Sequence, residues 1–266
     1  MVGKVNIFKA VNKDILAGFL KWRVILFISL TDLRAKYRRT LLGPLWIVIG
    51  LAAGSVGLGF LWSVLWDMPT EEILPRITVG FLVWIFISTS IVEGSNSLIS
   101  QEIIIKNIAL PFSFFPLLCL CRQIINFCHS LLIIIVLYIF YPPDEYINLL
   151  WFIPALILTL TTMFLVMFLL SVLSARFRDI PPLISAIMPM LFFLSPVLFR
   201  IQQAESLSWL MWLNPLTYVI TLLRDPLLGQ RPEIVFFVSM SIFIVLLYIF
   251  LAVIIDKKIN NIVYWV

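Results

Sequence analysis

The chain contains several apolar stretches that each run for about 20 residues with few charges. A stretch of that length is what an α-helix needs to cross the hydrocarbon core of a bilayer. The composition agrees, because 62% of the residues are hydrophobic and only 12% are charged, whereas about a quarter of the residues of a water-soluble domain are charged. The sequence therefore predicts an all-α, polytopic membrane protein.

Six transmembrane helices are predicted, over residues 41–66, 77–99, 112–140, 149–173, 183–199 and 234–255. They form one transmembrane domain, residues 41–266. Region 200–233 is apolar but is interrupted at Asn214-Pro215 and again at Arg224-Asp225-Pro226. Helices this short do not cross a bilayer, so short re-entrant helices on the external side are predicted between spans five and six, with Tyr218 on one of them.

Residues 1–40 are predicted to form a cytoplasmic segment. Residues 1–14 are expected to be loosely ordered. From Ile15 to Arg39 apolar residues recur every three or four positions, which predicts an amphipathic helix in the plane of the membrane interface. Lys21, Arg23 and Asp32 leave too few apolar residues for a span.

A basic cluster ends this segment, formed by Arg34, Lys36, Arg38 and Arg39. Gly43 and Pro44 follow it and predict a sharp turn into the first span. Two interpretations of the cluster stay open. It binds phosphate groups by charge and by the fork geometry of arginine, or it sets the topology and contacts anionic lipids.

The distribution of basic residues supports this topology with both termini in the cytoplasm. Fourteen of the 19 Lys and Arg residues fall on segments predicted to be cytoplasmic, and four fall on external ones. This asymmetry follows the positive-inside rule. The net charge of +5 does not indicate nucleic acid, since the basic residues lie near membrane ends and are not interleaved with aromatic residues on a soluble module.

Two charged residues lie within predicted spans. Glu93 lies towards the cytoplasmic end of span two, and Arg122 lies in span three, where Asn126 and His129 follow at helical spacing. Because an unpaired charge in the membrane is costly, Glu93 and Arg122 are expected to pair. The pair either only joins two helices, or Arg122, Asn126 and His129 line a hydrophilic path.

Aromatic residues are abundant, and most are expected to anchor the protein at the interface or to face lipid. Some can instead line a path, since aromatic faces commonly stack on sugar rings. The candidates are those in span interiors: Phe81, Trp84, Phe192 and Phe193.

No catalytic, metal or nucleotide-binding motif is found. The chain has one histidine and no GxxxxGK[ST] phosphate loop, and its three cysteines lie within one apolar segment. If ATP drives this protein, another chain must bind the ATP and magnesium.

Five segments, taken in order, resemble the membrane subunits of the ATP-binding-cassette exporters that move O-antigen, capsule or teichoic-acid polysaccharides. They are LTDLRAKYRRTLLGPLW (30–46), LPFSFFPLLCLCRQIINFCHS (110–130), SARFRDIPPLI (174–184), LFFLSPV (191–197) and LNPLTYVITLLRDPLLG (213–229). The resemblance covers the chain from about Leu30 to its end.

The resemblance implies a homodimer with two cytoplasmic ATPase subunits in the bacterial inner membrane, forming a channel for an undecaprenyl-diphosphate-linked glycan. It also implies that the basic helix touches the ATPase, that residues 101–111, with Gln101, Glu102 and Lys106, form the coupling helix, and that the Asn214-Pro215 region forms an external gate. Two other classes stay open: a secondary transporter or lipid flippase driven by an ion gradient, and an assembly subunit without transport. A co-purifying ATPase distinguishes them.

Overall fold

The structure, a computed structural model, describes residues 7–198 and 208–266, and this part of the chain contains helices and no strand. The helices are α1 (Ile7–Phe19), α2 (Trp22–Tyr37), α3 (Leu45–Trp66), α4 (Thr70–Ser95), α5 (Glu102–Asn107), α6 (Phe114–Ser130), α7 (Leu132–Phe140), α8 (Phe152–Arg176), α9 (Ile180–Phe193), α10 (Ser208–Leu213), α11 (Pro215–Leu227) and α12 (Ile234–Trp265). Short 3-10 helices at Ile99–Gln101 and Tyr146–Trp151 precede α5 and α8.

Five helical segments are long and apolar enough to cross a membrane: Leu45–Trp66, Thr70–Ser95, Phe114–Phe140, Tyr146–Arg176 and Ile234–Asp256. They correspond to predicted spans one to four and six. The second begins at Thr70 rather than at residue 77, directly after Pro69. The helix continues through Pro75, whose missing N–H leaves the carbonyl of Glu71 without the usual helix donor.

The predicted fifth span contains a shorter helix. Helix α9 has 14 residues, or about 21 Å at 1.5 Å per residue, against a hydrocarbon core of about 30 Å. Residues 199–207 of this span and of the predicted external region lie outside the described residues. A sixth crossing therefore stays a prediction.

The N-terminal segment differs from its prediction. Helix α1 already begins at Ile7, and the expected continuous helix from Ile15 to Arg39 is divided into α1 and α2 at Leu20 and Lys21. Helix α1 packs against α12 and α6, and the hydroxyl of Tyr248 donates to Asn12 at 2.5 Å. These distant contacts order residues that look loosely structured in sequence.

Helix α4 is the centre of the bundle, packed against α3, α6, α8, α9 and α11. Small residues allow this, because a β-carbon at Gly80 would clash with the carbonyl of Val197, and one at Gly94 would clash with Met167. Helices α3 and α12 pack on the outside of α4 and α8, and few of their spanning residues are buried.

The two ends of the bundle differ in charge. One end, called the basic end, carries the basic cluster at the end of α2, the α5 connection, and Arg176 and Arg178 at the end of α8. The other, called the opposite end, carries the connections 67–69, 141–145 and 228–233. Helix α11 lies near the opposite end, where the hydroxyl of Tyr138 donates to the carbonyl of Leu227 at 2.7 Å.

Candidate functional site

A groove between α4 and α9 contains all four of the predicted aromatic residues. It has a volume of about 550 Å³ and is lined by Phe81, Trp84, Phe192 and Phe193, with Met188, Pro189, Val92 and the polar residues Ser88, Thr89, Glu93 and Ser185. The ring of Phe192 packs edge-on against Trp84, with centroids 5.4 Å apart, and against Phe193 at 5.2 Å. The rings thus form one continuous surface, called here the aromatic groove.

Backbone features on both sides shape the aromatic groove. A β-carbon at Gly54 of α3 would lie 2.7 Å from the ring of Phe81, so glycine allows α3 to approach and hold this ring from behind. Pro189 lies inside α9. Since proline has no N–H, it leaves the carbonyl of Ser185, another groove residue, without the usual helix donor.

A second, smaller cavity lies between the end of α4 and α6. It has a volume of about 240 Å³ and is lined by Val92, Glu93, Asn96, Ser97, Ser100, Gln101, Phe115, Leu118, Cys119 and Arg122. We call it the polar cavity. Val92 and Glu93 line the aromatic groove as well, so the two spaces meet at Glu93.

The predicted ion pair between Glu93 and Arg122 is wrong. Glu93 instead accepts a hydrogen bond from the side-chain amide of Gln123 at 2.7 Å, and the Gln123 oxygen accepts one from Thr89 at 3.0 Å. The buried Gln123, one residue after Arg122, points to α4 in its place. A glutamine in an apolar span is itself a signal that the side chain has a polar partner, and the prediction did not use it.

Arg122 pairs with α2 rather than with α4. Its Nη2 atom lies 2.9 Å from Asp32 Oδ2, with both side chains partly exposed. The pairing was missed because α2 was expected to lie in the interface plane, away from the spans, whereas it packs along α6.

Of the three polar residues at helical spacing on α6, only the first lines one of these two spaces. Arg122 lines the polar cavity, whereas Asn126 and His129 line neither that cavity nor the aromatic groove. The His129 ring bonds to the carbonyl of Ile125 on its own helix at 2.7 Å. The idea of a hydrophilic path along all three residues therefore stays a prediction.

The basic cluster forms an exposed face at the end of α2. The side chains of Arg34, Lys36, Arg38 and Arg39 are all exposed. The turn that follows is sharp, since Gly43 has φ +55°, a left-handed conformation that favours glycine, and Pro44 immediately precedes α3.

Helix α5 is short and presents apolar side chains outward. Ile103 is 78% exposed and Ile105 is buried. Lys106 forms an ion pair with Glu102 at 2.5 Å and, as the hydrogen-bond donor, holds the pKa of Glu102 below its usual value. Gln101 precedes the helix and lines the polar cavity.

A joint that the sequence did not reveal ties α1 to the α5–α6 connection. The buried carboxylate of Asp14 accepts hydrogen bonds from the backbone N–H groups of Phe112 at 2.9 Å and Ser113 at 2.8 Å. The Ser113 hydroxyl donates to the Asp14 carbonyl at 2.7 Å. An anion here is favourable because it lies just before α6, which begins at Phe114, and the dipole of a helix favours a negative charge at its start.

Residues of the predicted gate hold the opposite end together. Asn214 caps α11 by accepting from the Leu216 N–H at 3.0 Å, and it donates to Ser195 at 2.8 Å. Pro215 is the first residue of α11. The hydroxyl of Tyr218 donates to the carbonyl of Trp212 at 2.8 Å.

Arg224 is buried near the end of α11. It forms an ion pair with Asp225 at 3.0 Å and donates to the carbonyl of Pro196. Ten residues of α11 are buried, including Leu216, Val219 and Leu223. The helix is thus packed inside the bundle and does not lie on its surface.

Among the described residues, no group of three or more His, Cys, Asp or Glu side chains is placed to hold a metal ion. The three cysteines are free.

The site described above defines a class of protein: a helical membrane protein with an aromatic groove between α4 and α9 and a basic end that carries exposed residues of α2 and α5. The chain belongs to the ABC-2 type transporter family, whose model matches residues 24–228. The resemblance to the membrane subunits of polysaccharide exporters is confirmed at this level.

The chain is similar to curated proteins of that family. It is 26% identical over 201 residues to the O-antigen export system permease protein RfbA of Myxococcus xanthus, covering 74% of this chain and 77% of that protein. It is 24% identical over 210 residues to the O-antigen export system permease protein RfbA of Klebsiella pneumoniae, covering 78% and 81%.

Proposed function

We propose that the chain is the membrane-spanning subunit of an ATP-driven exporter that moves undecaprenyl-diphosphate-linked polysaccharide, with O-antigen the favoured class, across the bacterial inner membrane. Two copies form the channel and two ATPase subunits bind ATP and magnesium. The family and the names of the relatives support this proposal.

The observation that carries the proposal is the aromatic groove. Four aromatic residues chosen from sequence line one groove, together with hydroxyl groups and the carboxylate of Glu93. Aromatic rings stack on the apolar faces of sugar rings, whereas hydroxyl and carboxylate groups bond to sugar hydroxyls. A groove of this composition suits a glycan better than a lipid chain, which needs only apolar contacts.

The basic end is the side on which the ATPases act. Fourteen of the 19 basic residues fall on segments at this end of the proposed topology, so it faces the cytoplasm by the positive-inside rule, with both termini there. Helix α5, with its exposed Ile103, docks into the ATPase. The cluster of Arg34, Lys36, Arg38 and Arg39 contacts the ATPase or the diphosphate head group.

ATP binding closes the two ATPases and pushes on α2 and α5. The joint at Asp14 and the ion pair of Asp32 with Arg122 pass this motion to α6. The opening between the two copies then changes, and the glycan passes in steps. The helices α10 and α11 form the external gate.

The aromatic groove can be tested by export of surface polysaccharide in cells carrying Trp84→Ala or Phe192→Ala. We expect export to fall by about tenfold or more, since a stacked ring contributes on the order of 1–3 kcal/mol. The control is Phe60→Ala, on the exposed face of α3, which should export normally. Normal export in both groove variants at normal membrane abundance would contradict the proposal.

Co-purification provides the second half of this test. A complex with an ATPase whose hydrolysis accelerates in the presence of this chain is the expected result. A chain that exports glycan without any ATPase would indicate the gradient-driven alternative.

A further inference from the structure

The polar cavity differs from the aromatic groove in its lining, which is mostly polar. Six of its ten lining residues are polar or charged: Glu93, Asn96, Ser97, Ser100, Gln101 and Arg122. These side chains offer hydroxyls, amides, a carboxylate and a guanidinium within about 240 Å³, a volume suited to a single sugar ring. Donors and acceptors are mixed around the wall, which is what a ligand with several hydroxyl groups requires.

Two buried polar atoms of its lining residues lack partners within the part of the chain that the structure describes. They are the hydroxyl oxygen of Ser97, a residue only 6% exposed, and the Nε atom of Arg122. Buried polar groups are normally hydrogen-bonded, and an unsatisfied one costs about 1–3 kcal/mol. A polar occupant of this cavity would satisfy such groups.

The charges of the cavity indicate which polar occupant fits. The guanidinium of Arg122 is neutralised by Asp32 on α2, 2.9 Å away. The remaining charge on the wall is the carboxylate of Glu93 on α4, held by the neutral amide of Gln123. The surroundings therefore carry one net negative charge, which disfavours a diphosphate and is compatible with uncharged hydroxyl groups.

We propose that the polar cavity binds one uncharged sugar unit of the exported glycan, which then passes Glu93 into the aromatic groove. The inference rests on the proposed function and adds a second subsite to it. In the polar cavity the sugar is held by hydrogen bonds, and in the groove it is held by stacking. Glu93 lines both spaces and contacts the sugar at the transfer between them.

Site-specific photo-crosslinking tests the subsite in the intact complex with its ATPase, in cells that make the lipid-linked glycan. The photoreactive residue p-benzoylphenylalanine replaces Ser100 in the polar cavity, Phe193 in the aromatic groove, or Ser241 on the exposed side of α12 as a matched serine control. Glycan adducts are detected by an anti-glycan antibody on the denatured chain.

We expect adducts at Ser100 and Phe193 and none at Ser241. An adduct at Phe193 alone overturns the polar subsite and leaves the proposed function standing. Absence of adducts at both positions, with the chain present in the membrane at normal abundance, contradicts the proposed function as well. Equal adducts at Ser241 would show contact from the lipid side and also overturn the subsite.

The variant Glu93→Gln separates a sugar from a phosphate in the cavity. Glutamine keeps an acceptor for Gln123 but lacks the charge, and charged hydrogen bonds are stronger than neutral ones, so the Ser100 adduct should fall about tenfold. If the cavity binds the diphosphate instead, removal of the negative charge raises the adduct yield, which overturns the proposal. Glu72→Gln, at the other end of α4, should leave the yield unchanged.

Discussion

The two ends of the bundle use buried charges of opposite sign in the same way. At the basic end the carboxylate of Asp14 binds two backbone N–H groups at the start of α6. At the opposite end the guanidinium of Arg224 binds the backbone carbonyl of Pro196, close after α9. In both, a charged side chain on one helix binds backbone groups of a connection elsewhere in the chain.

The difference between the ends lies in how the charge is neutralised. Arg224 also has a carboxylate partner, Asp225, on its own helix, so its removal leaves a charge behind. Asp14 is bound by neutral N–H groups and by a helix start, where the dipole favours an anion. Helix α1 is thus attached through an uncompensated carboxylate that accepts hydrogen bonds, whereas α11 is attached through a charge-paired guanidinium that donates one.

The largest expected effect is that of Arg224→Met. The substitution removes a buried guanidinium and leaves the partly buried Asp225 without this cation. Loss of one partner of such a pair costs about 3 kcal/mol of unfolding free energy. Thermal unfolding in detergent measures it. Arg231→Met is the control at the same end, because Arg231 is exposed and stacks over Trp151; an equal loss in both variants would contradict the buried-pair account.

A smaller loss is expected for Asp14→Ala, about 2–3 kcal/mol, since two buried N–H groups at a helix start lose their acceptor. Asp14→Asn keeps one side-chain oxygen and should recover about half of the loss. If the asparagine variant is as unstable as the alanine variant while both stay folded, the negative charge at the start of α6 matters more than the hydrogen bonds. Thermal unfolding of the wild-type protein and the two variants in the same detergent decides this.

The smallest effect concerns the uncharged turn at the basic end. Gly43 has φ +55° and free space around it, so Gly43→Ala should cost about 1 kcal/mol through backbone strain alone. Gly50→Ala is the matched control, also with free space but inside α3, and should stabilise by a few tenths to about 1 kcal/mol. Loss of stability in both would refute a conformational role for Gly43.

The same turn allows a functional test. If the proposed function holds, replacement of Gly43-Pro44 by Ala-Ala should leave membrane insertion intact and uncouple the ATP hydrolysis of the partner from export. Hydrolysis by the complex and export of polysaccharide are measured on the same cells. Normal export would mean that the turn only anchors the chain.

The long helices and the aromatic groove were predictable from sequence. Uninterrupted apolar runs leave few alternatives to a span, and Phe81 and Trp84 are one helical turn apart, so they share a face. The partners of charged residues were not predictable, because they depend on which helices meet. Arg122 pairs with Asp32, 90 positions earlier. The expected place of Arg122 beside Glu93 is taken by Gln123.

The joint at Asp14 had no sequence signal. Its acceptor and donors are separated by 98 and 99 positions, and Asp14 stands in a segment that looks polar and unstructured. Local patterns report helix faces and ends, but they carry no information on a contact made by a single carboxylate far along the chain.

The contact of α1 with α12 constrains the order in which the helices can pack together. Phe8 stacks on Tyr248 with centroids 5.9 Å apart, and Asn12 accepts a hydrogen bond from the same residue, 236 positions later. Helix α1 is synthesised long before α12, which supplies part of the surface that α1 packs against. During translation this part of α1 therefore stays uncovered until α12 has been made.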